Sequence, residues 1–270
     1  RIAKATEHVL LNMPLYLRDW ELIVGSYAAP DRVFYVIEQN WASPWRAVNS
    51  AGGRDLLSDE EKVEFKEMVD YWKGKTLSDM HQKLATEELA ETFKFDGTAL
   101  VTLWSDGAVP NYEKVLAIGL DGYKRLAQEK LQEIGRTLPP DFLDQKAFLE
   151  GAIISLDAAV KFAERYAEEA RRLAKAEKNR KRKKELEQIA KNCEWVPRNP
   201  ARTFWEAMQS VYFIHLIRSQ VEYTGTGMGA RLDVLLNPFY VKDKEEGRIT
   251  REEAVLLLEH WNVRLEEHSY

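Results

Sequence analysis

Pro197 to Asp243, PRNPARTFWEAMQSVYFIHLIRSQVEYTGTGMGARLDVLLNPFYVKD, is the stretch whose reading decides the fold. Two prolines bracket a polar turn at its start. The helix that follows opens either at Asn199, with Pro200 in its first position, or at Thr203, with Glu206 closing a capping box. Phe204, Met208, Val211, His215 and Arg218 recur at the spacing of one helical face, and Tyr212 and Leu216 widen it. So broad a stripe predicts a core helix. Thr224-Gly225-Thr226-Gly227-Met228-Gly229 then makes a loop with three glycines. Arg231-Leu232-Asp233 follows and leads into an apolar run, read as a strand, that ends at Asn237-Pro238-Phe239-Tyr240. Glycine has no Cβ to hold a ligand away from the main chain. A buried helix delivering such a loop therefore brings backbone close to a small molecule.

Working outward, Thr250 and Glu253 box the start of a further helix with Ala254, Leu257 or Leu258, Trp261 and Leu265 inward. On the other side, Leu186, Ile189, Ala190 and Cys193 share one helical stripe. Leu149, Ile153, Leu156, Val160, Ala163 and Ala170 share another, in a long helix from about Asp141. Between them the charged run from Lys175 to Glu187 predicts a surface junction of two antiparallel helices near Asn179. Pro139 and Pro140 separate the long helix from one spanning about Tyr112 to Ile134, which follows a turn at Trp104-Ser105-Asp106-Gly107. Ser58 and Glu61 cap a helix ended by Gly74, and Thr76 or Ser78 starts another that reaches about Phe93. Residues 26 to 57 resist assignment, although Val33 to Ile37 has strand character. Residues 3 to 12 read as a helix with Ala3, Val9 and Leu10 inward.

The chain of 270 residues, 45% hydrophobic and 31% charged, suffices for a real core. Its 39 Lys and Arg against 44 Asp and Glu leave a charge of −5, which argues against general nucleic-acid binding. No apolar run reaches membrane-spanning length. One cysteine excludes a disulfide framework and a cysteine metal cluster. A cytoplasmic protein is the expectation. The chain starts at Arg1, which leaves room for an upstream segment.

The strings P-A-R-T-F-x-E-A-x-Q, G-x-R-x-D and P-F-Y-x-x-D, with Glu246-Gly247-Arg248-Ile249-Thr250-Arg251-Glu252-Glu253-Ala254 after them, resemble the glycyl radical enzymes, the family of pyruvate formate-lyase. N-M-P-L-Y-L-R-D-W-E-L-I-V-G, Asn12 to Gly25, is similar to their N-terminal region. The resemblance implies an α/β fold, mostly helical in this portion, with residues 1–270 forming the N-terminal part of a ten-stranded α/β barrel. It implies a small-molecule substrate and an anaerobic radical lyase. No cofactor is expected in this chain. The radical would sit on a glycine of the full-length parent, installed by a radical S-adenosylmethionine activase, and a homodimer is kept open. The parent's cysteine loop and glycine loop have no counterpart in these residues, so the fragment is expected to be inactive. The other readings are a catalytically dead half-enzyme, a split protein that needs a second chain, and a helical interaction module.

Thr224, Thr226, Gly227 and Met228, with Trp104 and Gly107, are the substrate-pocket candidates, since the corresponding segments of several family members contact substrate. Many diol dehydratases of the family carry a histidine near Gly107. This chain has none there, which favours a bulkier, partly apolar substrate, as in arylacetate decarboxylases or fumarate-adding synthases, over a small diol. No catalytic residue and no metal ligand is assigned. Cys193 on its apolar stripe reads as a packed core cysteine, His215 as a hydrogen-bonded core histidine, Arg231 and Asp233 as a structural pair, and Lys178 to Lys184 as a solvated helix end.

Overall fold

The computed structural model of the chain describes residues 1–26, 58–88, 109–221 and 230–266. The chain forms two compact units, Asp31–Asp106 and the remainder, Arg1–Pro30 with Gly107–Tyr270. All regular structure among the described residues is helical. The strand suggested at Val33 to Ile37 lies outside them.

In the Asp31–Asp106 unit, α2 (Asp59–Trp72) starts with the expected box. Ser58 Oγ accepts from Glu61 N, and the Glu61 carboxylate accepts from Ser58 N. Gly74, at φ +76, turns the chain out of the helix where a side chain would be strained. Thr76 and Asp79 form a second box that opens α3 (Leu77–Leu84). This helix stops at Leu84, short of the expected Phe93, because Ala85 turns extended.

The larger unit holds α1 (Ile2–Asn12), α4 (Tyr112–Thr137), α5 (Phe142–Ala176), α6 (Arg180–Trp195), α7 (Phe204–Leu216), α8 (Leu232–Glu245) and α9 (Arg251–Glu266). Helix α7 is the axis. Eleven of its thirteen residues are buried, and α4, α5, α6, α8 and α9 all pack against it. It starts at Thr203, whose hydroxyl accepts from Glu206 N, so the second of the two predicted starts holds. Helices α5 and α6 form the predicted hairpin. Asn179 Oδ1 accepts from Lys181 N and Arg182 N to cap α6. Alanines of α5, among them Ala159, Ala163, Ala167 and Ala170, are buried and let neighbouring helices approach closely. In α1 the buried face is Thr6 and Leu10, while Val9 is 37% exposed, contrary to its expected inward placement.

Two joints decide the geometry around α7. Gly119 interrupts α4 at φ +65, where a Cβ would stand 2.2 Å from Arg198 O. That gap admits the polar turn before α7. Leu120 N and Asp121 N donate to Pro197 O and Arg198 O, and Ala201 N donates to Leu116 O. The second joint is the non-helical segment Glu21 to Ser26, which side chains rather than a sheet satisfy. Gln209 donates to Val24 O at 2.7 Å and accepts from Val24 N at 2.9 Å. Trp205 donates to Leu22 O, and Ser26 N donates to Tyr166 Oη. Arg182 donates to Glu21 O and Arg18 O, and Arg264 to Gly25 O. Arg264 also pairs with the Glu21 carboxylate at 2.8 Å, with both side chains at most 2% exposed.

The run after Asp233, read as a strand, is helix α8 instead. Leu232, Leu235, Leu236, Phe239 and Tyr240 recur at i, i+3, i+4, i+7 and i+8 and face the core, while Val234 and Val241 are exposed. Pro238 is on the exposed side of this helix, where water can satisfy the carbonyl that its missing N–H leaves unpaired.

Candidate functional site

The residues that carry the sequence signature are engaged with backbone. Asp243, at the end of α8, accepts from Phe204 N at 2.7 Å and so helps cap α7. Arg248 holds the other oxygen of Asp243 through Nε at 2.8 Å, and its own N–H donates to Asp243 O. Glu206 accepts from Arg202 N and pairs with the Arg202 guanidinium at 2.5 Å. Gln209 clamps Val24. The motif from Pro200 to Gln209 and the motif ending at Asp243 thus fasten α7 to the segment before it and to α8. They are the frame of a site rather than its reacting groups.

The other end of α7 differs. The helix passes into a π-helical turn, Ile217–Val221, directly before residues 222–229. Ser219 Oγ donates to His215 O there. Helix α4 packs on α7 and begins at Tyr112, with Asn111 as its N-cap accepting from Lys114 N. Tyr112, His215 and Arg218 are 3%, 8% and 7% exposed. Tyr112 Oη and His215 Nδ1 are buried with no hydrogen-bond partner among the described residues. The expected hydrogen-bonded histidine is therefore incomplete at Nδ1. A buried polar atom left without a partner costs roughly 1–3 kcal/mol. Burial first, and then the positive charge of Arg218, hold the His215 pKa down at about 4, so the ring is neutral at pH 7. Burial pushes the Tyr112 phenol up to about 12, against a smaller opposing pull from Arg218.

Thr224, Thr226, Gly227, Met228, Trp104 and Gly107 all lie outside the described residues. What the structure places is the chain on either side of them. Val221 at the end of the π turn directly precedes residues 222–229, and Val109 directly follows Gly107 and Ala108 in sequence. Neither Tyr112 nor Arg218 was singled out as a site residue from sequence. Arg218 carried a signal, a cation at the end of an apolar helical stripe. Tyr112 carried none, since an aromatic at a helix start reads as core.

Cys193 is 1% exposed on α6 among apolar neighbours, and burial pushes its thiol pKa well up. This is the packed core cysteine expected, and it does not fit a thiyl role, which needs sulfur open to substrate. Arg231 and Asp233 form a surface pair at 2.7 Å, with side chains 79% and 66% exposed, in keeping with the structural reading. The Arg231 hydrogen bond holds the Asp233 carboxyl down at about 2. The run Lys178 to Lys184 is solvated except at Arg182, which is buried and bonded to main chain. No group of three His, Cys, Asp or Glu able to hold a metal occurs among the described residues. No helix among them is long and apolar enough to cross a membrane.

Residues 1–270 match the family described as pyruvate formate lyase-like. The chain is 36% identical to an isethionate sulfite-lyase of Oleidesulfovibrio alaskensis over 96% of this chain and 33% of that protein. It superposes with a TM-score of 0.87, at 33% identity, on a structure of 1,2-propanediol dehydration in Roseburia inulinivorans, covering 98% of this chain and 33% of that one. A glycyl radical enzyme from Archaeoglobus fulgidus superposes at 0.82 with 30% identity over 96% and 34%. An indoleacetate decarboxylase of Tractidigestivibacter scatoligenes is 29% identical over 91% of this chain and 28% of that protein. The chain thus spans about a third of the length of the curated relatives it matches. The identities lend the expected preference for an arylacetate-type substrate no support.

Proposed function

The chain belongs to the pyruvate formate lyase-like family, and on that premise we propose that it is a portion of a glycyl radical enzyme, an anaerobic radical lyase. The observation that carries this reading is the match over all 270 residues, together with superposition on glycyl radical enzymes. In this reading a glycyl radical, installed by a radical S-adenosylmethionine activase, supplies the unpaired electron that starts bond cleavage. The residues of this chain do three other things. Asp243, Arg248, Glu206 and Gln209 fix α7. Helix α7 carries the glycine loop to the substrate cavity, where Thr224, Thr226, Gly227 and Met228 contribute one wall. The turn at Trp104 to Gly107 contributes to the same cavity. A second copy of the enzyme as a dimer partner and a cytoplasmic location belong to the same proposal.

The substrate we favour is a small polar molecule that loses water or another small leaving group. The relatives supporting this are the sulfite-lyase and the propanediol-dehydration structure, with higher identities than the decarboxylase. A bulkier, partly apolar substrate is the second reading. It keeps one observation in its favour, the lack of a histidine near Gly107.

The 270-residue chain by itself should hold no glycyl radical. Its one thiol is enclosed, and it contains no loop resembling the radical site. The test is anaerobic treatment with an activase and S-adenosylmethionine, followed by EPR. A reading frame that continues these residues into the cysteine and glycine loops should give a glycyl doublet and consume a small hydroxylated or sulfonated substrate. A doublet on the 270-residue chain would refute the division of labour. A folded, activase-treated longer protein with neither doublet nor turnover would favour the dead half-enzyme or interaction module.

A further inference from the structure

We propose that the cleft between α6, the start of α7 and α9 is a docking surface for an apolar segment from the rest of the parent polypeptide. The proposal rests on the reading of this chain as a portion of a longer enzyme, and it adds which face the rest of that enzyme covers.

Ala254-Val255-Leu256-Leu257-Leu258, in the first turns of α9, are five consecutive apolar residues. At 3.6 residues per turn, five in a row pass all the way round a helix, so one neighbour cannot bury them all. Ala254, Leu257 and Trp261 are buried, whereas Val255, Leu256, Leu258 and Val263 are between 38% and 47% exposed. A helix that is apolar all round belongs in an interior. Part of α9 thus lacks the cover that its sequence suits.

Leu256 does not stand on a flat surface. With Leu22, Trp205, Ile249 and Leu257 it lines a cleft of about 450 Å³. Val263, two turns further along the same side of α9, extends the apolar stripe beyond it. The polar residues of the cleft are already engaged. Asp243 holds Phe204 N and Arg248, and Thr203 accepts from Glu206 N. Gln188 donates to Asn192 at 2.8 Å, and Glu253 accepts from Thr250 N at 2.8 Å. Lys181 lies 3.9 Å from Glu185, which also pairs with Arg182. A small-molecule pocket keeps a few polar groups to orient its ligand. Here those groups face one another or main chain, and apolar surface is what remains to recognise an occupant.

The length of the relatives points to that occupant. The superposition takes in 98% of this chain but 33% of the propanediol-dehydration structure. The larger share of that polypeptide therefore lies outside the match and adjoins the matched third on some face. The cleft and the α9 stripe form a contiguous apolar surface, the kind that marks a contact. The exposed Leu143 and Phe148 of α5, by comparison, stand on different sides of their helix.

The test is thiol labelling of Leu256→Cys, read by mass spectrometry on the peptide that carries residue 256. It is made in the 270-residue chain and in a reading frame that continues it, each against the same protein unfolded in urea. Enclosed Cys193 is the internal control and should stay unlabelled in both folded proteins. In the 270-residue chain, residue 256 should label nearly as fast as in the unfolded protein. In the longer protein it should label at least about tenfold more slowly, because reaction there waits on opening of the contact. Leu256→Glu gives a second readout. It should move the unfolding midpoint of the 270-residue chain by no more than about 2 °C, as a surface substitution does. In the longer protein it should lower the midpoint by more than about 5 °C, since it places an unpaired charge in a covered apolar contact. Lys181→Gln, on the polar rim, should change neither protein. Equal labelling of residue 256 in the two proteins would overturn the proposal. So would protection that the 270-residue chain shows by itself and loses on dilution, which would put a second copy on this face. A variant that folds as the shorter protein and not as the longer one supports the contact, and if Leu256→Cys folds as neither, Val263→Cys takes its place. A glycyl radical in a longer protein whose residue 256 stays open would sink the docking face and leave the enzyme reading intact. Protection without radical or turnover would do the reverse.

Discussion

The two ends of α7 handle their polar residues in opposite ways. At the N-terminal end, Thr203, Glu206 and Gln209 each bond a main-chain group, and Asp243 reaches in from α8 to cap Phe204. At the C-terminal end, His215 Nδ1, and Tyr112 Oη on the neighbouring α4, are buried with no hydrogen-bond partner among the described residues. The same helix is thus saturated at one end and unsaturated at the other. The strings that make the family recognisable lie at the saturated end. A signature can be recognisable because many backbone groups depend on it. The chemistry is better sought where buried polar capacity is left over.

Breaking the saturated side should have the largest effect. Arg264→Met removes the buried ion pair with the Glu21 carboxylate and the bond to Gly25 O, so it should cost about 3–5 kcal/mol in urea unfolding. A loss below about 1 kcal/mol would mean that the threaded segment stands without its ion pair. Next comes a pH effect that belongs to the unsaturated side. Unfolded His215 takes up a proton near pH 6.5 and folded His215 only near 4. The unfolded state therefore binds more protons in that window, and stability should fall as pH drops from 6.5 to 4, by up to about 3 kcal/mol. Comparing the wild type with His215→Gln isolates this contribution. If the two profiles run parallel, the imidazole is not held neutral by its surroundings.

Cys193→Ala removes a small buried group and should cost roughly 1–2 kcal/mol. It should leave turnover intact in a longer active protein, and complete loss of turnover with a normal fold would contradict the packed role. Arg231→Ala should change the unfolding midpoint by no measurable amount, since both partners of that pair are solvent-exposed. A clear drop there would show that surface charge at the start of α8 matters more than its exposure suggests.

Helix starts were the most legible part of the fold. Ser58 with Glu61, Thr203 with Glu206, and Thr250 with Glu253 all cap where the sequence places them, because a capping side chain acts within three residues of itself. The stripe of α7 was legible for a similar reason, since burial on one helix leaves a local period. Three things were not. Val234-Leu235-Leu236 is too short an apolar run to separate strand from helix, and Pro238 pointed away from the helix that α8 turned out to be. Arg182 and Arg264 were passed over as charges, although each stands in register with an apolar stripe. Arg182 precedes Leu186, Ile189 and Cys193, and Arg264 follows Ala254, Leu257 and Trp261. Their partners, main chain near Glu21 and the Glu21 carboxylate, are more than 160 residues away in sequence. Tyr112 belongs to the same class. That its hydroxyl finds no partner among the described residues depends on what packs around α4, which no local pattern encodes. For the glycine loop and the Gly107 turn, the sequence supplies the candidates and the described residues supply only their flanks.

The contrast between the ends of α7 is tested most directly by urea unfolding of Gln209→Ala and Tyr112→Phe beside the wild type, with no ligand present. Gln209→Ala orphans both polar groups of buried Val24 and should lose at least about 2 kcal/mol. Tyr112→Phe removes a hydroxyl that bonds nothing among the described residues, and should be as stable as the wild type or more so, by up to about 1 kcal/mol. Equal losses in the two variants would contradict the account, because they would mean that Tyr112 is as firmly built into the scaffold as Gln209.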